Sequence, residues 1–373
     1  MSCIKVSRII LTFTLTFLMV AAQAQTLKEK EYDGTTLVAE GESYNNGKRQ
    51  GQWILYNLNG EKEQEGKYEN GLKEGAWKRY DPASKNIIED VIYKNDTANG
   101  AYKSYYADGK KAEEGTFDMG YQTGVWKQYF STTNNYLASV GEFKKGEKTG
   151  KWTYYFDDAG LQVYETGIYA NGQRNGPWQI YYQGKERAVQ AEGDFKKGMK
   201  EGVWTFYYQQ PNTLLSRIRY IANMEQDTFT TYYPSGKIHE RGEYVNGQYH
   251  GLYEELYENG ERKVEGAFTY GEKTDEWKFF YETGIMKMLG SYYKSKANGM
   301  WKYYRDNGSL EKEQEYKNNV IDGKYVEYFY NGKVLRKGQM SNFMKQGKWE
   351  EYDITGNLMK VEIWKDNQLI DSQ

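Results

Sequence analysis

His239 and His250 are the only imidazoles in the 373-residue chain. A zinc site would need at least a third ligand beside them, and the single cysteine, Cys3, stands close to the N-terminus. A nucleophile with a histidine base and an orienting carboxylate must be assembled from residues a fold can bring together. No such set stands out. The frequent glutamates, as in Glu61 to Glu65 and Glu311 to Glu315, alternate with lysine in the way of wet strand faces carrying cross-strand charge pairs. Asp227 and Asp275 occupy places that glycine holds elsewhere, so they read as turn residues at positive φ and not as catalytic carboxylates. Glycine-bearing stretches such as Gly109 to Gly115 recur without a following helix, which argues against a phosphate loop. We expect a chain that is not an enzyme and that uses no metal or cofactor.

What recurs in place of that chemistry is aromatic rings at a fixed interval. One column runs through Trp53, Trp77, Tyr102, Trp126, Trp152, Trp178, Trp204, Phe229, Tyr253, Trp277, Trp301, Tyr325 and Trp349, at spacings of 24 to 26 residues. Three residues further on, a second column is nearly all tyrosine, including Tyr129, Tyr155, Tyr181 and Tyr207. A third passes through Tyr68, Phe143, Tyr169 and Phe195 and ends at Trp364. Rings so placed can pack on one another or offer flat faces to a ligand. The mid-chain residues Trp126, Tyr129, Trp152, Tyr155, Trp178, Tyr181, Trp204 and Tyr207 are the candidate packing or interaction columns.

The elements that would carry these columns follow from the glycines. In the first full unit Gly51, Gly60, Gly66, Gly71 and Gly75 read as breaks between short aromatic runs. Asn-Gly and Asp-Gly at such places are hairpin signals, because their turns require positive φ. Each period predicts a strand, a turn, a second strand and a second turn. The fold expected is all-β, an elongated single-layer antiparallel meander of about thirteen 24-residue hairpins, or roughly 26 strands. Neighbouring hairpins would be joined by stacked rings, with the tyrosine hydroxyls left in water. Trp152 and Tyr155, three apart, face opposite ways in a regular strand, whereas an intervening bulge would turn both to one side. We favour ladders on both faces. Three successive units, Trp126 to Gly141, Trp152 to Gly167 and Trp178 to Gly193, are longer than the rest; such insertions in repeat proteins often mark a binding face, though drift in loop length, which costs little, gives the same pattern and is the reading we favour.

Composition sets the outer bounds. Apolar residues make up 38%, while Tyr and Gly contribute 38 and 40 residues, too little aliphatic material for several thick cores. Fifty basic and 52 acidic residues leave a net charge of −2, which argues against nucleic acid as a partner. Lys5 and Arg8, the apolar run from Ile9 to Val20 and the small residues of Ala22-Gln23-Ala24 have the form of a secretory signal peptide. Residues 1–24 are expected to be that signal and 25–373 the repeat domain, exported to the periplasm, the cell surface or beyond, without a disulfide.

Tyr68 to Trp77, "YENGLKEGAW", resembles the MORN repeat in the variant form of exported bacterial proteins, and Tyr244 to Tyr253 and Phe143 to Trp152 repeat the match. The resemblance covers nearly the whole of residues 25–373. It implies an elongated sheet of hairpins and a scaffold or tether that engages proteins or membranes. The expected function is a non-catalytic scaffold binding an unidentified envelope protein; the alternative is a glycan, cell-wall or membrane-surface module that uses the aromatic columns.

Overall fold

The computed structural model describes residues 26–44, 46–184 and 186–373; the predicted signal segment, residues 1–24, lies outside them. The fold is all-β, an open antiparallel meander. Twenty-nine strands run from Thr26–Asp33 to Gln368–Ser372, with no helix among the described residues. The chain divides into two compact units, the first reaching Lys111 and including Phe117–Gly120, the second formed by Ala112–Thr116 and Tyr121–Gln373. Within the first, each strand from Thr26–Asp33 to Thr97–Tyr105 pairs antiparallel with the next. Within the second, the strands from Tyr121–Tyr129 onward do the same to the C-terminus.

Two local devices, repeated in each period, shape these strands. The first is a two-residue turn in which both residues have positive φ, as at Asn70 (54°) and Gly71 (87°), or Asn171 (50°) and Gly172 (75°). This is the turn whose twist matches that of paired strands. Where glycine is missing, Ala222 and Asn223 hold φ 49° and 71°, and Lys294 and Ser295 hold 49° and 61°. The turn amide also ties the hairpin to the one before it: Gly172 N donates to Lys148 O at 3.0 Å and Gly198 N to Arg174 O at 2.9 Å.

The second device is a bulge. Gly66 pairs with Trp77 but Lys67 pairs with Glu74, so Gly75 and Ala76 face no partner on Lys62–Glu69, while on their other side they pair with Tyr93 and Ile92. The bulged residue has positive φ, 70° at Gly75, 63° at Gly150 and 75° at Gly202. Several glycines expected to break the strands therefore lie inside them: Gly51, Gly66 and Gly75 are strand residues. Asp227 and Asp275, expected in turns, occupy the same bulge position at φ 58° inside Met224–Tyr232 and Glu272–Phe280. The residue type was right for positive φ, but the bulge, which the spacing alone does not distinguish from a turn, is where it is used.

The bulge positions the tryptophan. In an ordinary ladder the carbonyl opposite would be paired; here it is met by the indole, and Trp77 Nε1 donates to Lys67 O at 2.9 Å. Trp178 does the same to Ile168 O (3.0 Å) and Trp204 to Asp194 O (2.9 Å). The indole then lies flat across the neighbouring strand, over a glycine. A Cβ at Gly66, Gly167 or Gly193 would come within 3.0 Å of the ring of Trp77, Trp178 or Trp204. Glycine is required at these extended positions for room, not for φ.

In the second unit the indoles alternate with the third aromatic column in an edge-to-face file. Its centroid distances are 5.7 Å from Trp126 to Phe143, 5.2 Å to Trp152, 6.0 Å to Tyr169, 5.3 Å to Trp178, 5.8 Å to Phe195 and 5.0 Å to Trp204. This is the preferred geometry of aromatic pairs. The core of each unit is thus a stripe on one face of its sheet, as with Trp53, Tyr68 and Trp77 in the first and Trp178, Phe195 and Trp204 in the second.

The tyrosine column lies on the other face. Glu40 and Gly41 are successive strand residues and point opposite ways; Trp53 covers Gly41, while the Tyr56 hydroxyl donates to Glu40 at 2.6 Å. Tyr129 donates to Glu114 and Tyr207 to Glu192, each at 2.7 Å. The aromatic ladders occupy both faces, as favoured from the spacing. At Tyr56, Tyr129 and Tyr207 the hydroxyl, expected in water, is instead held by a carboxylate, because the glutamate before the covered glycine shares its face.

A further tyrosine, one residue beyond that column, links hairpins at the loop edge. Tyr182, Tyr208, Tyr233, Tyr257 and Tyr281 donate to the backbone carbonyls of Tyr207, Tyr232, Leu256, Phe280 and Tyr304 at 2.8–3.0 Å. Tyr208→Phe removes one such link and leaves the Tyr232 carbonyl short of a partner. We expect a loss of about 1 kcal/mol, read by urea unfolding, with faster amide exchange confined to the hairpins either side.

Candidate interaction surface

The expected columns are placed as follows. Trp126, Trp152, Trp178 and Trp204 are 1, 0, 1 and 0% exposed. Tyr181 is buried, and Tyr129, Tyr155 and Tyr207 are half-buried on the opposite face. The four indoles share one continuous file, whereas the four tyrosines stand in separate polar settings: Tyr181, unlike Tyr129 and Tyr207, donates to Gln179 at 2.8 Å.

A layer missed from the sequence closes the indole face. Four residues before most tryptophans stands a cation: Lys148 lies 4.1 Å from the Trp152 ring centroid, Arg174 4.2 Å from Trp178, Lys200 4.6 Å from Trp204 and Lys273 4.2 Å from Trp277. The bulge shortens the path from that residue to the indole, so the alkyl stem covers the ring and the charge meets its π face. Burial pushes the ammonium groups of Lys148, Lys200 and Lys273 below the usual lysine range. The signal was legible as a fourth column, Arg49, Lys73, Lys148, Arg174, Lys200, Lys273 and Lys345.

The longer loops bond in series along one edge. Thr132 Oγ1 donates to Asp157 Oδ1 at 3.1 Å, Gly184 N to Gln162 Oε1 at 2.9 Å, and Gln209 Nε2 to Gln183 O at 3.3 Å. His239 lies 3.5 Å from Glu255 through Nε2. His250 accepts the Tyr270 amide at 3.3 Å through Nδ1. The two imidazoles, in Ile238–Val245 and Gln248–Leu256, therefore have separate partners.

The polar face is a lattice of ion pairs. Arg241 meets Glu254 at 2.6 Å, Arg262 reaches Glu254 at 3.1 Å and Glu265 at 3.2 Å, and Lys278 meets Glu265 at 2.7 Å. Exposed pairs of this kind add little stability singly, but they set a charge pattern a partner can read.

At the bulge, Asp275→Gly removes a side chain from φ 58°. We expect a gain of about 1 kcal/mol, seen as a higher thermal midpoint; a fall would show that the Asp275 side chain supports the strand.

A bulged hairpin whose indole caps the strand before it, recurring in both units, defines a β-hairpin repeat protein. The family model for the MORN repeat variant matches residues 98–119, 228–246, 297–318 and 321–342, so these four stretches of the chain are MORN repeats of the variant type. No curated protein matches the sequence. Among solved structures, the crystal structure of TcdB2-TccC3-Cdc42 aligns with 83% of this chain and 19% of its own at 12% identity and a TM-score of 0.17. The Photorhabdus luminescens Tc holotoxin pore aligns with 91% and 22% at 11% identity and a TM-score of 0.17. The chain spans about a fifth of the length of these structures.

Proposed function

We propose that the protein is a non-catalytic repeat scaffold that holds another protein in the periplasm or at the cell surface. The observation that carries this reading is the disposition of the rings. Most of the tryptophans, the residues best suited to gripping a small ligand, are covered by glycine-backed strands on one side and by lysine or arginine on the other. What the sheet presents outward is a face of patterned charge and a ridge of bonded loops, which suit a protein surface better than a sugar ring. Stacking on a glycan requires an open ring face, and Trp126, Trp152, Trp178 and Trp204 have none. The test is capture from envelope extract by residues 25–373. One protein recovered in stoichiometric amount supports the scaffold; no captured protein together with a fluorescence change on adding cell-wall glycan overturns it in favour of the glycan module.

A further inference from the structure

The indole and cation columns lapse at several units, as at Ala98 and Tyr102 or Ile321 and Tyr325, but aspartate replaces the bulge glycine in one stretch alone. Between Met224–Tyr232 and Glu272–Phe280, the indole column holds Phe229 and Tyr253, the bulge column holds Asp227 and Asp275, and the cation column holds Glu225 and Tyr249. Tyr249 packs on Phe229 and Phe268 where other units place a cation, but other changes carry a cost. Phe229 fills less of the space over Gly242, where a Cβ would sit 3.0 Å from Phe229 Cε1, and both aspartates hold a side chain at φ 58°. Asp227 is offset by an ion pair with Arg219 at 2.8 Å, whereas among the described residues Asp275 has no such compensation, and a departure of that kind is expected where a sequence serves function.

The same strands line a cleft of about 800 Å3 on the polar face. Its centre is Leu252, 78% exposed, in register with Ala267 on the next strand. Glu254 and Glu265 in its wall are already neutralised by Arg241, Arg262 and Lys278. Among the described residues Glu243 and Asp275 form no ion pair, and Glu276 stands 3.7 Å from Lys278. The cleft therefore presents an apolar centre between two unneutralised carboxylate positions, one on Ile238–Val245 and one on Glu272–Phe280.

We propose that this cleft is the docking site for a cationic extended segment of the partner protein, read as Lys-x-Leu-x-Lys or its arginine equivalent; the proposal rests on the scaffold reading and names the chemistry of its partner. The spacing fits. The two carboxylate strands are three strand steps apart, about 14 Å. In an extended chain, residues i and i+4 share a face and lie about 13–14 Å apart. Cations at those positions meet Glu243 and Asp275, and the apolar residue midway between them falls on Leu252 and Ala267.

The test uses residues 25–373 and three fluorescein-labelled dodecapeptides centred on Lys-Ser-Leu-Ser-Lys, Glu-Ser-Leu-Ser-Glu and Lys-Ser-Ser-Ser-Lys, followed by fluorescence polarisation. We expect the first to bind at least about tenfold more tightly than the others. Glu243→Gln, Leu252→Ser and Asp275→Gly should each weaken it about fivefold or more, the last without a lower thermal midpoint, so lost binding is not lost folding. Glu142→Gln, at the equivalent row position on Leu137–Lys144, should leave it unchanged. Equal binding of the lysine and glutamate peptides, binding of none, or equal loss in Glu142→Gln overturns the proposal. Envelope capture is scored separately. A Leu252→Ser chain that still captures its protein, when the peptides fail, leaves the scaffold standing and removes the cleft; capture of nothing by the unaltered chain removes the scaffold itself.

Discussion

Gly167→Ala is expected to destabilise its hairpins by about 3 kcal/mol, an outsized effect for one methyl group on a strand. Gly167 has ordinary extended φ, so the cost is steric. Its added Cβ would fall within 3.0 Å of the Trp178 indole, whose position is fixed by the hydrogen bond to Ile168 O, by Arg174 above the ring and by Tyr169 and Phe195 at its edges. None of these can retreat without disturbing the next repeat. Trp178→Ala should itself cost about 4 kcal/mol, through lost burial and the cavity left behind. The informative measurement is the double-mutant cycle. With the indole gone the methyl has space, so the double variant should cost about as much as Trp178→Ala alone. Simple addition of the two penalties would show that Gly167 is needed for some reason other than room for the ring. Because each hairpin contacts chiefly its chain neighbours, the damage should be local, with amide exchange rising first in the strands Val163–Ala170 and Gln173–Tyr181.

These two residues also show what could be read from the sequence. The period was legible because each tryptophan, its glycine and the turn residues recur at nearly constant spacing, and that spacing has only one simple structural solution, the hairpin. The opposite facing of Trp152 and Tyr155 followed from strand alternation alone. The division of labour among glycines was not legible. Gly71 serves a turn, Gly75 a bulge and Gly66 an indole, and only the cross-strand register separates them. The carbonyls that accept the indole N–H groups belong to residues as different as Lys67, Ile168 and Asp194, because the backbone makes the bond and the side chain is free to vary. The cations over the rings were visible as a column but looked like surface charge until the bulge was known. The cleft beneath Phe229 and Tyr253 was the hardest to see. Its parts, Glu243, Leu252, Ala267 and Asp275, lie on four successive strands, and only the cross-strand register brings them together.

Raising the pH should unfold the protein in a narrow alkaline range, between about pH 10 and 12. Thirty-eight tyrosines make this possible, and their surroundings set its direction. Burial pushes the Tyr220 and Tyr325 hydroxyls up to about 12, the latter with help from Glu327, and the hydrogen bond to Glu40 raises Tyr56 to about 12. Burial raises Tyr154, Tyr244 and Tyr253 still further, the first reinforced by its 3.0 Å bond to Tyr169. A phenol that ionises at about 10 in the unfolded chain but later in the fold leaves the folded state holding more protons through that interval, so stability falls as pH rises. Below pH 10 the contribution is fully present. The lysines over the indoles act in the opposite sense: Lys148, Lys200 and Lys273 lose their protons more readily in the fold, which adds stability as pH rises toward the ordinary lysine value of 10.5. They are fewer than the raised tyrosines, and their contribution is complete where the tyrosine loss is still growing, so the tyrosines decide the outcome above pH 11. Tyrosinate absorbance, tryptophan fluorescence and the β-sheet circular dichroism signal should therefore change together in one steep step above pH 10. A gradual phenol titration centred at pH 10, with the sheet signal intact to pH 12, would mean that the rings are not held as the fold requires.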